Sequence, residues 1–161
     1  MATTGNPFFT LRALLPAIFC ALLLTGCGSI NVAPSDPNPK GSTIVNTART
    51  QLGKQYRYGG ASPNQGFDCS GLVYWAYRAN GIAVPRNTSK QARVGRPIAK
   101  NHAAPGDIVV FRTSLTSLHT GLYAGNNKFI HSPSKGKRVQ FEDMNDNYWR
   151  NKLVAVRRVS R

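Results

Sequence analysis

Asp107 marks a change of period along the chain. Upstream of it apolar residues recur every three or four positions, and downstream they come in short runs rich in β-branched and aromatic side chains, which restricts the chain to folds that put helices first and a sheet afterwards. The first helix is expected to start at Ser42, a capping residue, to bury Ile44, Val45, Ala48 and Leu52, and to stop at Gly53. A second is expected from Cys69 to Asn80, with Asp68 as its cap, Leu72, Val73, Ala76 and Tyr77 as its buried stripe, and Gly81 as its stop. A short third helix follows Thr88. Strands are expected at residues 108–112, 120–124, 128–131, 138–141 and 153–159, with Asn126-Asn127 as a tight turn between the second and third. This order predicts an α+β domain whose N-terminal helices pack on an antiparallel β-sheet.

The N-terminus reads as a targeting segment instead of a fold. A lone Arg12 precedes an apolar run, residues 13–24, that is too short to span a bilayer and is followed at once by small residues. Leu24-Thr25-Gly26-Cys27 resembles a bacterial lipobox, in which the signal is cut before a cysteine that then carries acyl chains. Residues 1–26 are therefore expected to be a removed lipoprotein signal, and 27–41 a lipidated Cys27 followed by a tether rich in proline (Pro34, Pro37, Pro39). Several acyl chains on one residue give stable membrane anchoring. Gly28, where an acidic residue would retain a lipoprotein at the inner membrane, directs the expectation to the periplasmic face of the outer one. Removing 26 of the 161 residues leaves 135, enough for one domain, taken as 42–161.

Cysteine arithmetic then isolates Cys69. Of the three cysteines, Cys20 leaves with the signal and Cys27 is modified, so Cys69 has no partner for a disulfide. An exported protein that keeps one free thiol in an oxidising compartment points to chemistry at that thiol. The net charge of +15 falls to +14 with the loss of Arg12 and calls for an anionic neighbour. Nucleic acid is set aside, because the chain lacks clustered aromatic and basic stacking motifs. Cell-wall peptides rich in carboxylates, or anionic lipids and wall polymers, suit the compartment.

Cys69 stands in the first turn of its expected helix, where unpaired N–H groups and the helix dipole favour negative charge and can hold an oxyanion. Three histidines could serve it. His119 and His131 fall at the start and end of two strands joined by the Asn126-Asn127 turn, so an antiparallel return brings them face to face as a base and its orienter. His102 lies in a loop and is expected at the surface.

Five segments in register carry a resemblance: Tyr56-Arg57-Tyr58-Gly59-Gly60, Phe67-Asp68-Cys69-Ser70-Gly71-Leu72-Val73, Pro105-Gly106-Asp107, His119-Thr120-Gly121-Leu122-Tyr123 and Phe129-Ile130-His131. Together they resemble the NlpC-type cell-wall peptidases, above all the small lipoproteins that include murein endopeptidases. The resemblance implies a papain-like fold and a Cys-His-His triad acting on peptidoglycan stem peptides. No metal or cofactor is expected, and the protein is expected to be a monomer. It implies that Cys69 attacks the carbonyl, His119 is the base and His131 orients it. It also places Tyr56 near the substrate and oxyanion, and gives Asp68 and Ser70, beside the nucleophile, substrate contacts. One departure is Thr120, where the family usually has an apolar β-branched residue. A zinc site of one Cys and two His is disfavoured, because gaps of 50 and 12 residues offer no close ligand pair. A catalytically silent wall-binding lipoprotein, an amidase and an acyltransferase stay open on the same scaffold.

Overall fold

A computed structural model describes residues 38–159. The expected signal, Cys27 and most of the tether lie outside the described residues. Helix α1 covers Pro39–Arg49 and is capped by Asn38, whose side chain accepts from the Gly41 amide. This corrects the expected start at Ser42 and the tether boundary at 41. The reason is tertiary: the Asn38 amide also donates to the Pro105 carbonyl at 3.1 Å, and a Cβ on Gly41 would lie 1.9 Å from that same oxygen. Pro105-Gly106 thus docks on the first turn of α1, and Gly106 takes a positive φ of 87° to do so. At the other end α1 stops at Arg49, four residues before Gly53, leaving Leu52 exposed and Gln51 buried in its place.

A small hairpin, β1 (Ala61–Ser62) and β2 (Gly66–Phe67), leads into α2 (Cys69–Ala79), whose cap and buried stripe are as the sequence predicts. Next come the short α3 (Thr88–Gln91), the strand β3 (Arg96–Ile98), and β4 (Ile108–Arg112), β5 (Leu118–Gly125), β6 (Lys128–His131) and β7 (Gln140–Asp143). A one-turn helix, α4 (Asn147–Arg150), and β8 (Leu153–Arg158) close the chain. Strands β3 to β8 form one antiparallel sheet in the order β3-β8-β4-β5-β6-β7. Asn126 and Asn127 both have positive φ, 51° and 57°, the backbone that a two-residue turn between β5 and β6 requires.

The sheet is covered on both faces, which is why Ile108 to Phe111 are all fully buried. Ile108, Val110, Leu122 and Ile130 pack against Ile44, Val45 and Ala48 of α1 and Leu72, Val73 and Ala76 of α2. Val109, Phe111, Phe129 and Val156 pack with Met144 and Trp149 from the β7–β8 connection. The histidines belong to the second face, since His119 pairs with Phe111 and His131 follows Phe129 by two.

Candidate active site

The head of α2 is built around Asp68. Its carboxylate accepts from the Gly71 amide at 2.7 Å, and its carbonyl accepts from Leu72 at 3.1 Å. Among the described residues the Cys69 and Ser70 amides make no hydrogen bond, so two first-turn donors remain beside the thiol. Cys69 Sγ lies 3.8 Å from Thr88 Oγ1. The same carboxylate accepts from the Gly59 amide, from Ser70 Oγ and from both Nη atoms of Arg86 at 2.9 and 2.8 Å. Arg86 donates further to Ser70 Oγ and to the Gly60 carbonyl. Asp68 is therefore both cap and hub, and it ties the Gly59-Gly60 turn to the helix head that carries Cys69. Tyr56 stands close by, and its phenol pKa is raised, first by burial and then by Cys69 and Asp68, so it persists as an O–H donor.

On the sheet, Nε2 of His119 lies 2.7 Å from Nδ1 of His131, with the rings edge to face. Leu122 pairs with Ile130, so the two histidines meet on a diagonal of the ladder. Gly121 lies between them, and a Cβ there would come within 3.1 Å of His131 Cβ and 2.8 Å of Phe129 Cδ2. Trp149 backs both imidazoles, at 5.5 and 5.3 Å between ring centres. Burial, and then the neighbouring His131, push the His119 pKa down to about 3, against an opposing pull from Glu142. The ring is neutral at pH 7, and among the described residues nothing hydrogen-bonds to its Nδ1. Its second nitrogen is left open as an acceptor.

No hydrogen bond joins Cys69 to His119 among the described residues, and catalytic contacts of this kind often close only when substrate binds. Buried polar links nevertheless hold their neighbours together. Thr120 Oγ1 donates to Gln91 Oε1 at 2.9 Å, and Gln91 Nε2 donates to the Ser70 carbonyl at 2.9 Å. Ser132 Oγ donates to the Phe67 carbonyl at 2.7 Å. The two-bond relay through Gln91 and the single bond from Ser132 each connect a residue next to a histidine with a residue within two positions of Cys69. The departure at Thr120 is thus absorbed by a partner, its hydroxyl completing the bonds of a fully buried Gln91.

A cavity of about 540 Å³ opens beside His119, lined by Ser134, Lys137, Glu142, Asp143 and Trp149 among others. A second, of about 410 Å³, is lined by residues 55–60, Tyr56 included, and by Gln65. Cys69 lines neither of these two cavities. His102, as expected, is exposed.

Sequence reasoning missed Arg86, Gln91 and Glu142. A lone arginine after a turn proline, or a glutamine in a short helix, carries no chemical signature until its partners are known. For Glu142 a faint signal existed: it is one of six acidic residues in the chain. The sequence offers no obvious carboxylate for the triad, yet Glu142 Oε1 lies 3.5 Å from Nε2 of the fully buried His131.

The profile of the NlpC/P60 family matches residues 53–158. The chain is 43% identical over 120 residues to murein DD-endopeptidase MepH of Escherichia coli, covering 71% of this chain and 44% of that protein. It is 31% identical to the murein DD-endopeptidase and murein LD-carboxypeptidase MepS of the same organism, covering 90% of both. Among solved structures, an NlpC/P60 family protein from Bacillus cereus superposes with a TM-score of 0.70 at 32% identity, over 76% of this chain and 41% of that one. The chain thus spans less than half of MepH and of the Bacillus protein, and nearly all of MepS.

Proposed function

The chain belongs to the NlpC/P60 family, and on that premise we propose that it is a cysteine peptidase that hydrolyses amide bonds in peptidoglycan stem peptides or their cross-links. Cys69 is the nucleophile, His119 the base and His131 its orienter. The observation that carries this reading is the His119–His131 contact of 2.7 Å. It consumes Nε2 of a neutral imidazole and leaves Nδ1 for the thiol.

In the first half-reaction Cys69 Sγ bonds to the scissile carbonyl carbon while its proton passes to His119 Nδ1. The resulting oxyanion is met by the Cys69 amide and the Tyr56 hydroxyl. Collapse breaks the C–N bond, and the leaving amine takes the proton from His119. Water then attacks the thioester, giving its proton back through His119 and releasing the carboxylate and the thiol. Asp68 already accepts from five donors, and Ser70 is buried. Their part in substrate contact is to hold Arg86 and the Gly59-Gly60 turn, which form the wall that the peptide meets beside Tyr56.

The named activities of MepH and MepS on murein support an extracytoplasmic site of action. Leu24 to Cys27 and Gly28 support lipid anchoring through Cys27 at the periplasmic face of the outer membrane. The protein acts there as a monomer on stem peptides. The deciding experiment is mass spectrometry of purified wall fragments after digestion. Wild type should release new amino and carboxyl termini within stem peptides, and Cys69→Ala should release none. Equal cleavage by the two proteins would remove Cys69 as the nucleophile.

A further inference from the structure

We propose that Glu142 is a positioning residue for the histidine pair, selecting the tautomer of His131 that lets His119 act as the base. The inference rests on the proposed roles of those histidines and extends them by one residue. Phe129 pairs with Glu142 and His131 with Gln140, so alternate residues of β6 and β7 line a single face. On that face Glu142 Oε1 stands 3.5 Å from His131 Nε2 and accepts from Gln140 Nε2 at 2.6 Å. Its Oε2 accepts from the Trp149 indole N–H. Two donors therefore hold the carboxylate in place beside an imidazole nitrogen that is fully buried and, among the described residues, has no hydrogen-bond partner.

Proton placement supplies the reason. A neutral imidazole has one N–H and one bare nitrogen. For His119 Nδ1 to take the thiol proton it must be bare, so Nε2 of His119 carries the hydrogen and donates it to His131. Nδ1 of His131 must then be bare as well, which puts that ring's hydrogen on Nε2, facing Glu142. A carboxylate accepts only, and it stabilises an N–H pointed at it while disfavouring a bare nitrogen there. Without it, His131 can carry its hydrogen on Nδ1 and donate to His119. That forces the hydrogen of His119 onto Nδ1, the tautomer that cannot take a proton from Cys69. The carboxyl of Glu142 has its pKa lowered to about 2, first by its contact with His131, against burial, and further by the Trp149 and Gln140 donors. It is ionised throughout the working range. The other charged groups lining this cavity are Lys137, Asp143 and Asp146. Of these, Asp143 and Asp146 accept from the backbone amides of Asn145 and Tyr148.

The test uses the full chain labelled with ¹⁵N-histidine, and its first readout needs no variant. Long-range ¹H–¹⁵N spectra of wild type at pH 7 should show His131 protonated on Nε2 and bare on Nδ1; a hydrogen on Nδ1 of His131 overturns the proposal. The second readout is turnover of purified muropeptides. Glu142→Leu should lower kcat about 10- to 100-fold with KM little changed, the range found when an outer carboxylate that orients a metal-bound imidazole is removed. Glu142→Gln keeps an acceptor oxygen and should recover part of that loss. In Glu142→Leu the His131 hydrogen should appear on Nδ1. A folded Glu142→Leu protein with wild-type kcat and an unchanged His131 tautomer would sink the idea. Activity surviving in Cys69→Ala would sink the triad instead, and leaves the tautomer measurement unaffected.

Discussion

Replacing Arg86 with Leu tests how the segment carrying Cys69, the proposed nucleophile, is held. The guanidinium makes four hydrogen bonds, two to the Asp68 carboxylate at 2.8 and 2.9 Å, one to Ser70 Oγ at 3.0 Å and one to the Gly60 carbonyl at 3.1 Å. Breaking a fully buried pair by removing one partner costs roughly 3–5 kcal/mol. Here the Arg86 side chain is 34% exposed, and Asp68 keeps the Gly59 and Gly71 amides and the Ser70 hydroxyl. Solvent screening and those donors reduce the expected loss to about 2 kcal/mol. For a domain of this size each kcal/mol moves Tm by roughly 4 °C, so a drop of about 8 °C is expected in a thermal melt. Turnover should fall further than the unfolded fraction explains, because Gly60 and Ser70 lose the anchor that fixes them beside Tyr56 and Cys69. Asp68→Asn, which keeps an acceptor for the Gly71 cap, should lose less stability than Asp68→Ala. A Tm for Arg86→Leu within a degree of wild type, with normal turnover, would refute the hub.

Three further outcomes are expected. Every His119 substitution should cost at least about 100-fold in muropeptide turnover, whereas His131→Asn should retain more activity than His131→Ala, because an amide oxygen can still accept from the His119 ring N–H. Acid should lower the stability of the protein with two onsets. The His119 imidazole, depressed to about 3 from 6.5, takes a proton in the unfolded chain before it does in the folded one. Stability is therefore independent of it above pH 6.5 and falls by up to about 1.4 kcal/mol per pH unit as pH drops toward 3. Glu142, depressed from 4.5 to about 2, adds to the loss only below pH 4.5. Denaturant titrations between pH 8 and 4 check this, and His119→Gln should flatten the upper part of the curve. Finally, Cys27→Ala should abolish membrane partitioning yet leave wall digestion intact; a mutant still recovered as a fatty-acylated membrane protein would remove the lipobox reading.

Local chemistry determined those parts of the molecule whose cause lies within a few residues. Helix α2 is legible from Asp68 to Gly81 because a carboxylate caps it, a stripe at helical spacing is buried, and a glycine at a positive φ of 71° ends it. The turn between β5 and β6 is legible because asparagine tolerates the left-handed backbone, and that turn alone sets two histidines on neighbouring strands. The thiol at the helix head and the two imidazoles could therefore be named from the sequence. Tertiary structure decided the rest, where competing local signals are equal or the partner is distant. Asn38 and Ser42 are both good caps, and contact with Pro105 selects the first. The strand β3 holds an arginine and a proline in three residues, and it exists because β8 offers it an edge. The last hairpin strand lies at Gln140–Asp143, two residues beyond its expected start, and only that register sets Glu142 beside His131. Arg86 binds partners 16 to 26 residues away, and Gln91 joins Ser70 and Thr120, 21 and 29 residues away. A charged or amide side chain has no role until folding removes it from water, and the partner that then satisfies it is chosen by the packing of the whole domain.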